Sequence, residues 1–143
     1  MYFDKDVSID ILKPMKVGVI GYGNQGRAQA LNLRDSGISV TVGLREGSPS
    51  IKDVIQDGLD WLEISEVVRQ SDLLSILIPD QSMSDVYDTS ISRYLKPGKI
   101  LLFSHGYNIT YKQIVPPHFV DVVMVAPSGP GYAVREEYKK GKG

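Results

Sequence analysis

Cysteine is absent from the 143 residues, which excludes disulfides and thiolate metal sites. Long apolar runs are missing too, and none approaches the roughly 20 residues of a membrane-spanning helix. Neither charge sign is in excess: 16 Lys and Arg face 17 Asp and Glu, a formal net charge of −1. That balance offers no electrostatic case for nucleic acid. The opening MYFDKDVSID is acidic, without the apolar core of a secretory signal or the Arg- and Ser-rich character of a transit peptide. Internal repeats and low-complexity runs are also lacking. These absences predict a soluble, cytoplasmic domain that neither enters a membrane nor binds nucleic acid. A single domain of this length buries about two-thirds of its unfolded surface.

What is there centres on Met15 to Gly26, MKVGVIGYGNQG. Val17, Gly18, Val19 and Ile20 form an almost uninterrupted apolar run, the pattern of a parallel strand buried on both faces. The run enters Gly21-Tyr22-Gly23-Asn24-Gln25-Gly26, a G-x-G-x-x-G, and helix-forming residues Arg27 to Arg34 follow until Ser36-Gly37 stops them. Gly21 permits the tight strand-to-helix turn. Gly23, lacking a Cβ, lets the backbone approach a pyrophosphate, and Gly26 lets the helix pack closely on the strand. The unpaired N–H groups and positive dipole end of the new helix face the phosphates. A lone G-x-G-x-x-G is a weak signal. Here a strand precedes it and a helix and second strand, Ile38 to Val42, follow, as dinucleotide binding requires.

The loop after that second strand, Arg45-Glu46-Gly47-Ser48-Pro49-Ser50, carries the next signal. An NAD-preferring site places an acidic residue here to hold the ribose 2′-hydroxyl. This chain has Gly43, Leu44 and then Arg45. A guanidinium can grip a 2′-phosphate, and Ser48 and Ser50 can donate hydroxyl hydrogen bonds, so NADP is the expected cofactor. Glu46 dissents, since an inward carboxylate would repel a phosphate. Ser48 and Pro49 also read as the cap and first turn of a helix marked by Ile51, Val54 and Ile55, a purely structural alternative.

Further along, Leu59 to Leu62 predicts a third strand, Ile64, Val67 and Val68 a short helix, and Leu73 to Ile78 the next buried strand. Ser82 with Asp85 resembles a capping box, and Met83, Val86, Tyr87, Ile91 and Tyr94 form a helical stripe that reads as core. Pro97-Gly98 turns into strand Ile100 to Phe103. Thr110 with Gln113 suggests a second capping box before Pro116-Pro117, and Val120 to Val125 reads as a sixth strand. Residues 1–13 are a polar lead-in from which Ile9, Ile11 and Leu12 can dock on the core. Arg135 to Lys140 predicts a surface helix. Strands alternating with helices mean an α/β fold, a doubly wound parallel sheet of Rossmann type in three α/β/α layers.

In such sheets ligands sit beyond the carboxyl ends of the strands. Gly21–Gly26, Arg45–Ser50, Asp80–Met83, His105 and Ser128–Gly131 all fall at such ends, which converges on one composite site. His105 is the main candidate for proton chemistry; the alternative is a histidine satisfied by loop backbone groups. His118 reads as surface on the opposite rim.

These segments together resemble the N-terminal, NADP-binding domain of ketol-acid reductoisomerase. The likeness spans the chain and includes YFDKD, VIGYGNQG, ALNLRDSG, VTVGLREGSPS, LIPD, LKPG, SHGYNI, IVPP and VMVAPSGPG. HGYNI and GPG are more specific than the glycine motif alone. The resemblance implies a magnesium-dependent alkyl shift of 2-acetolactate or 2-aceto-2-hydroxybutyrate, then reduction by NADPH, in branched-chain amino-acid synthesis. It implies that Gly21 to Gly26, with Tyr22, Gly23, Asn24 and Gln25 on the phosphates, form the cofactor loop. Arg45, Ser48 and Ser50 would take the 2′-phosphate end, Asp80, Gln81, Ser82, Met83 and Gly131 would complete the cofactor site, and His105 matches an active-site histidine. Two departures stand out. Ser128 occupies the place of a family lysine, and residues 1–143 amount to the dinucleotide-binding domain alone, without the helical domain that carries the magnesium carboxylates. No metal ligands are expected in this chain, and catalysis by it alone is expected to be incomplete. The remaining readings are a stand-alone, non-catalytic NADP-binding or partner module, and another nicotinamide oxidoreductase completed by a second chain or by homo-oligomerisation.

Overall fold

In a computed structural model, which describes residues 6–142, the apolar run of the glycine motif becomes a central strand. The strands are β1 (Lys16–Ile20), β2 (Ser39–Leu44), β3 (Asp60–Glu63), β4 (Leu73–Ile76), β5 (Ile100–Phe103) and β6 (Asp121–Met124). They form a six-stranded sheet in the order β3-β2-β1-β4-β5-β6, and every pairing is parallel. The order reverses between β1 and β4, the place where doubly wound sheets open a crevice for dinucleotides. Helices α1 (Asn24–Asp35), α2 (Ile51–Gln56), α3 (Ile64–Gln70), α4 (Asp80–Val86) and α5 (Tyr107–Thr110) lie in the connections, and α6 (Gly131–Lys139) follows β6. Residues Tyr2–Lys5 of the YFDKD stretch lie outside the described residues.

Two apolar clusters explain why the central strands carry no polar alternation. On one face Ile20, Leu74, Ile76, Leu101 and Phe103 pack with Val67 and Val68 of α3 and Met83 of α4. On the other, Val17, Val19, Val42 and Leu73 pack with Ala30 of α1 and Val54 of α2. Each fully buried side chain of this kind contributes about 1.5–3 kcal/mol. The sheet is thus a middle layer between two layers of helices, as the alternation of elements predicts. The stripe Met83, Tyr87 and Ile91 is buried as expected, with Val86 and Tyr94 packed against the same cluster. Beyond α4 the backbone widens into a π-helical turn, Tyr87–Ile91, and tightens again at Ser92–Tyr94, which keeps those side chains on one face.

Several local expectations are corrected. Helix α1 begins at Asn24, inside the glycine motif, because the Arg27 N–H already bonds the Gly23 carbonyl at 2.9 Å. Ser48 is not a helix cap: α2 starts at Ile51, and Ser48 makes a turn in which its carbonyl accepts the Ile51 N–H. Of that helix's apolar stripe, Val54 is buried while Ile55 is exposed. Ser82 does not cap α4 either; the helix begins at Asp80 after Pro79, and the Ser82 hydroxyl bonds back to the Pro79 carbonyl. Thr110 closes α5 instead of opening a helix, since Lys112 turns the chain with φ 55° and Ile114 is drawn into the core. Ile9 and Ile11 stay exposed, and only Leu12 packs on the core. The charged C-terminal helix starts at Gly131 and is pinned to α1: Arg135 donates to Asn32 Oδ1 at 2.9 Å and pairs with Asp35 at 2.5 Å.

Candidate cofactor site

The turn out of β1 is made by Gly21, whose φ of +96° disfavours any L side chain, and a Cβ there would press on Ile78 and the Leu77 carbonyl. A Cβ at Gly26 would overlap the Gly21 carbonyl, so α1 can start this close to the strand only with glycine there. Gly23 is different. Nothing lies within 4 Å of where its Cβ would be. Its glycine is therefore not needed for packing, and the space it leaves lies in front of the α1 N-terminus. The N–H groups of Asn24, Gln25 and Gly26 precede the first intrahelical bond and point out of that end. A cradle without a Cβ at a 12-residue helix's positive end fits a pyrophosphate.

Tyr22 is buried under this loop, only 6% exposed, and its hydroxyl donates to Asp57 Oδ2 at 2.8 Å. Asp57 also receives Arg27 in a bidentate pair, at 2.7 and 2.8 Å, and Arg34 bonds the Asp57 carbonyl. The Arg27 guanidinium holds the Asp57 carboxyl below the usual carboxylate range. Burial, and then the Asp57 carboxylate, push the Tyr22 phenol up. The phenol is thus committed to the fold.

Beyond β2, Arg45 is exposed and no ion pair engages it among the described residues. Gly47, at φ +74°, turns the loop back so that half-buried Ser48 and Ser50 follow on the same segment. The Glu46 N–H donates to Glu63 Oε1 at 3.1 Å, which fastens the loop to the end of β3. Glu46 itself is exposed.

Across the switch point, β4 leads to Asp80 and β5 to His105. The His105 imidazole is 71% exposed, and its Nδ1 lies 3.8 Å from Asp80 Oδ2, too far for a hydrogen bond. Nδ1 instead accepts the Tyr107 N–H at 3.1 Å, so the neutral ring carries its proton on Nε2. Beneath them sits Asn108, 1% exposed, whose side-chain amide donates to the Asp80 carbonyl and to Asp80 Oδ1 and rests on Met83 sulfur. Asn108 belongs to the HGYNI stretch but carries no signal of its own in the sequence. Asp57 likewise lies 35 positions from Tyr22, and only the fold joins them. Neither residue is marked as a site residue by the sequence alone. Gln81 and Ser84 line a cavity of about 400 Å³ with Asp80, Tyr107, Asn108 and Gln113.

The last segment, after β6, approaches the glycine loop itself. Gln25 Nε2 donates to the Gly129 carbonyl at 2.8 Å, and Gly131 lies so close to Asn24 that a Cβ would overlap the Asn24 carbonyl. Thus the segments after β1 and β6 touch, as do those after β4 and β5, while Arg45, Ser48 and Ser50 stand apart beside β2. Among the described residues no group of three or more His, Asp or Glu side chains is placed to hold a metal ion, so the residues do not fit a magnesium site.

Residues 11–143 match the family described as acetohydroxy acid isomeroreductase, NADPH-binding domain. A ketol-acid reductoisomerase (NADP(+)) of Clostridioides difficile is 49% identical over the whole chain, which covers 44% of that relative. Its counterpart in Pyrococcus abyssi is 54% identical, again over the whole chain and 43% of the relative. The chain therefore spans less than half the length of these relatives. Among solved structures, an NADH-preferring ketol-acid reductoisomerase from an uncultured archean superposes with a TM-score of 0.92 at 44% identity. That match covers 96% of this chain and 43% of the other.

Proposed function

The chain belongs to the acetohydroxy acid isomeroreductase family through its NADPH-binding domain, and from that premise we propose how its residues hold the cofactor and what they do for the reaction. The single observation that carries the reading is the open space at Gly23 before the α1 N-terminus, within a loop that Gly21 and Gly26 lock in place. The pyrophosphate lies there on the N–H groups of Asn24, Gln25 and Gly26. Arg45, Ser48 and Ser50, beside β2, take the adenosine 2′-phosphate, a charge-assisted contact worth about 1.5–3 kcal/mol. Asp80, Gln81, Ser82, Met83 and Gly131 border the other half of the cofactor.

When bound, NADPH supplies a hydride. The chain's own contribution at the reacting end is His105, whose Nε2 proton faces outward while Tyr107 fixes the ring through Nδ1. In the family's reaction on 2-acetolactate, that group would hold or exchange a proton at the substrate oxygen. The family's magnesium-dependent alkyl shift would need a set of metal ligands that the described residues do not bring together. The chain is by this reading a cytoplasmic cofactor-binding unit of branched-chain amino-acid synthesis.

Calorimetric titration tests the cofactor assignment. NADPH is expected to bind at least tenfold more tightly than NADH. Gly23→Ala, which meets no atom of the protein, is expected to melt like the wild type and yet bind NADPH tenfold or more weakly. Equal or tighter NADH binding would remove the 2′-phosphate role of Arg45, Ser48 and Ser50. Normal NADPH binding by Gly23→Ala would remove the phosphates from the glycine loop.

A further inference from the structure

The glycine loop and the loop after β6 come into direct contact, and the Gln25 side chain makes a hydrogen bond between them. Gln25 stands in the first turn of α1, where its backbone N–H faces the phosphate cradle. Its side chain turns the other way. Nε2 donates to the Gly129 carbonyl at 2.8 Å, and Oε1 accepts from Gln29, one turn further on, at 3.2 Å. Gln29 in turn reaches Ser104, at the end of β5, at 3.4 Å. Two residues beyond Gly129, Gly131 abuts the Asn24 carbonyl with no room for a Cβ. Residues 129–131 are thus seated on the N-terminal turn of α1 by one hydrogen bond and one close backbone approach.

Sheet order gives this seat its meaning. With β2 and β3 on one side of β1, and β4, β5 and β6 on the other, a dinucleotide across the switch point places its adenosine half over β2 and its reactive half over β4 to β6. The loop after β6 therefore borders the nicotinamide half, while the pyrophosphate sits at α1. We propose that Gln25 is a positioning residue whose side chain, through Gly129, holds the 129–131 loop as a wall for the nicotinamide half. Its contribution to phosphate binding comes from the backbone alone. This rests on the NADPH reading above and adds to it a separation of roles within one residue. Asn24 and Gln25 bind phosphate by their N–H groups, which any side chain leaves in place, so a substitution at Gln25 acts on the far half of the cofactor.

The separation is measurable with a truncated cofactor. 2′-Phospho-ADP-ribose carries the 2′-phosphate and the pyrophosphate but no nicotinamide. Titrated against Gln25→Ala, it is expected to bind within twofold of its wild-type affinity, whereas NADPH is expected to lose about tenfold. Amide hydrogen exchange at Ala133 and Val134, whose N–H groups bond the Pro130 carbonyl, is expected to be at least tenfold faster in the cofactor-free variant than in the wild type. Gln25→Asn, too short to reach Gly129 but still an amide, should behave as Gln25→Ala does and covers the case in which the alanine variant fails to fold. Equal losses for both ligands would overturn the proposal in favour of a direct side-chain contact with phosphate. Unchanged NADPH affinity, or unchanged exchange at Ala133 and Val134, would overturn it outright. A wild-type chain that binds neither ligand would instead overturn the NADPH reading, and the proposal with it.

Discussion

Asp57 shows how one side chain far from any motif can set the shape of the glycine loop. Its carboxylate takes the Tyr22 hydroxyl and the Arg27 guanidinium at once, clamping both flanks of Gly23-Asn24. Because its pKa is lowered in the folded protein, the pair stabilises the fold above the ordinary carboxylate pKa near 3.8 and ceases to do so as pH falls through the folded value. Arg27 is half exposed, so solvent screens the ion pair, and Asp57→Asn is expected to cost about 1 kcal/mol at pH 7. Urea titrations should show that difference shrinking as pH falls below about 3.8 and vanishing once pH lies below the folded Asp57 value. A difference that persists undiminished in acid would assign the effect to packing of Tyr22 instead. Arg45 presents the opposite situation, an exposed cation that no ion pair engages among the described residues, which leaves its guanidinium free for the 2′-phosphate role proposed above.

At the scale of elements, termini carry both stability and function. Helix α3 ends against the start of β4, and its last carbonyls are covered by Lys99, a lysine only 8% exposed. Its ammonium donates to the Val68 carbonyl at 2.8 Å and the Ser71 carbonyl at 2.5 Å, a cation placed at the negative end of a helix. Burial pushes its pKa down, and the Asp72 carboxylate works against that shift. Replacing it by methionine keeps most of the volume and leaves those carbonyls bare, at an expected cost of about 2–3 kcal/mol by urea unfolding. A loss under 0.5 kcal/mol would mean that water replaces the ammonium without penalty. Capping chemistry was also where sequence reading went astray. Ser82 with Asp85 and Thr110 with Gln113 have capping-box spacing, yet prolines and tertiary packing moved both helix starts. At α4, Pro79 fixes the extended residue before the helix and leaves Ser82 in its first turn. At α5, burial of Asn108 and Ile114 selected a short helix followed by a left-handed turn.

For the molecule as a whole, a cofactor half-site is present and a metal half-site is not among the described residues. Isolated chain is therefore expected to show no NADPH oxidation with 2-acetolactate and magnesium, since the alkyl shift needs carboxylates to hold the ion against the substrate oxygens. A pre-rearranged 2-keto-3-hydroxy acid separates the two steps. Slow oxidation of NADPH with that substrate alone would show that His105 and the cofactor suffice for reduction. Robust turnover of 2-acetolactate by this chain would refute the assignment of the metal ligands elsewhere. Ser128, standing where the resemblance implies a lysine, is expected to depress the rate by 10²–10³ even with the metal ligands supplied, roughly the loss for one preorganised charge-stabilising group. The sequence by itself determined the parallel sheet, because its central strands, buried on both faces, are almost continuously apolar, and it determined the glycine loop, because Gly21 needs a left-handed φ and a Cβ at Gly26 would overlap the Gly21 carbonyl a few residues back. What only the tertiary structure decided is which side chains are tied to the protein itself and which are left free. Tyr22, Gln25 and Asn108 read as site residues or as nothing in one dimension. Their partners Asp57, Gly129 and Asp80 lie 35, 104 and 28 positions away, and pairings at that distance exist only once the sheet has brought the strand ends together.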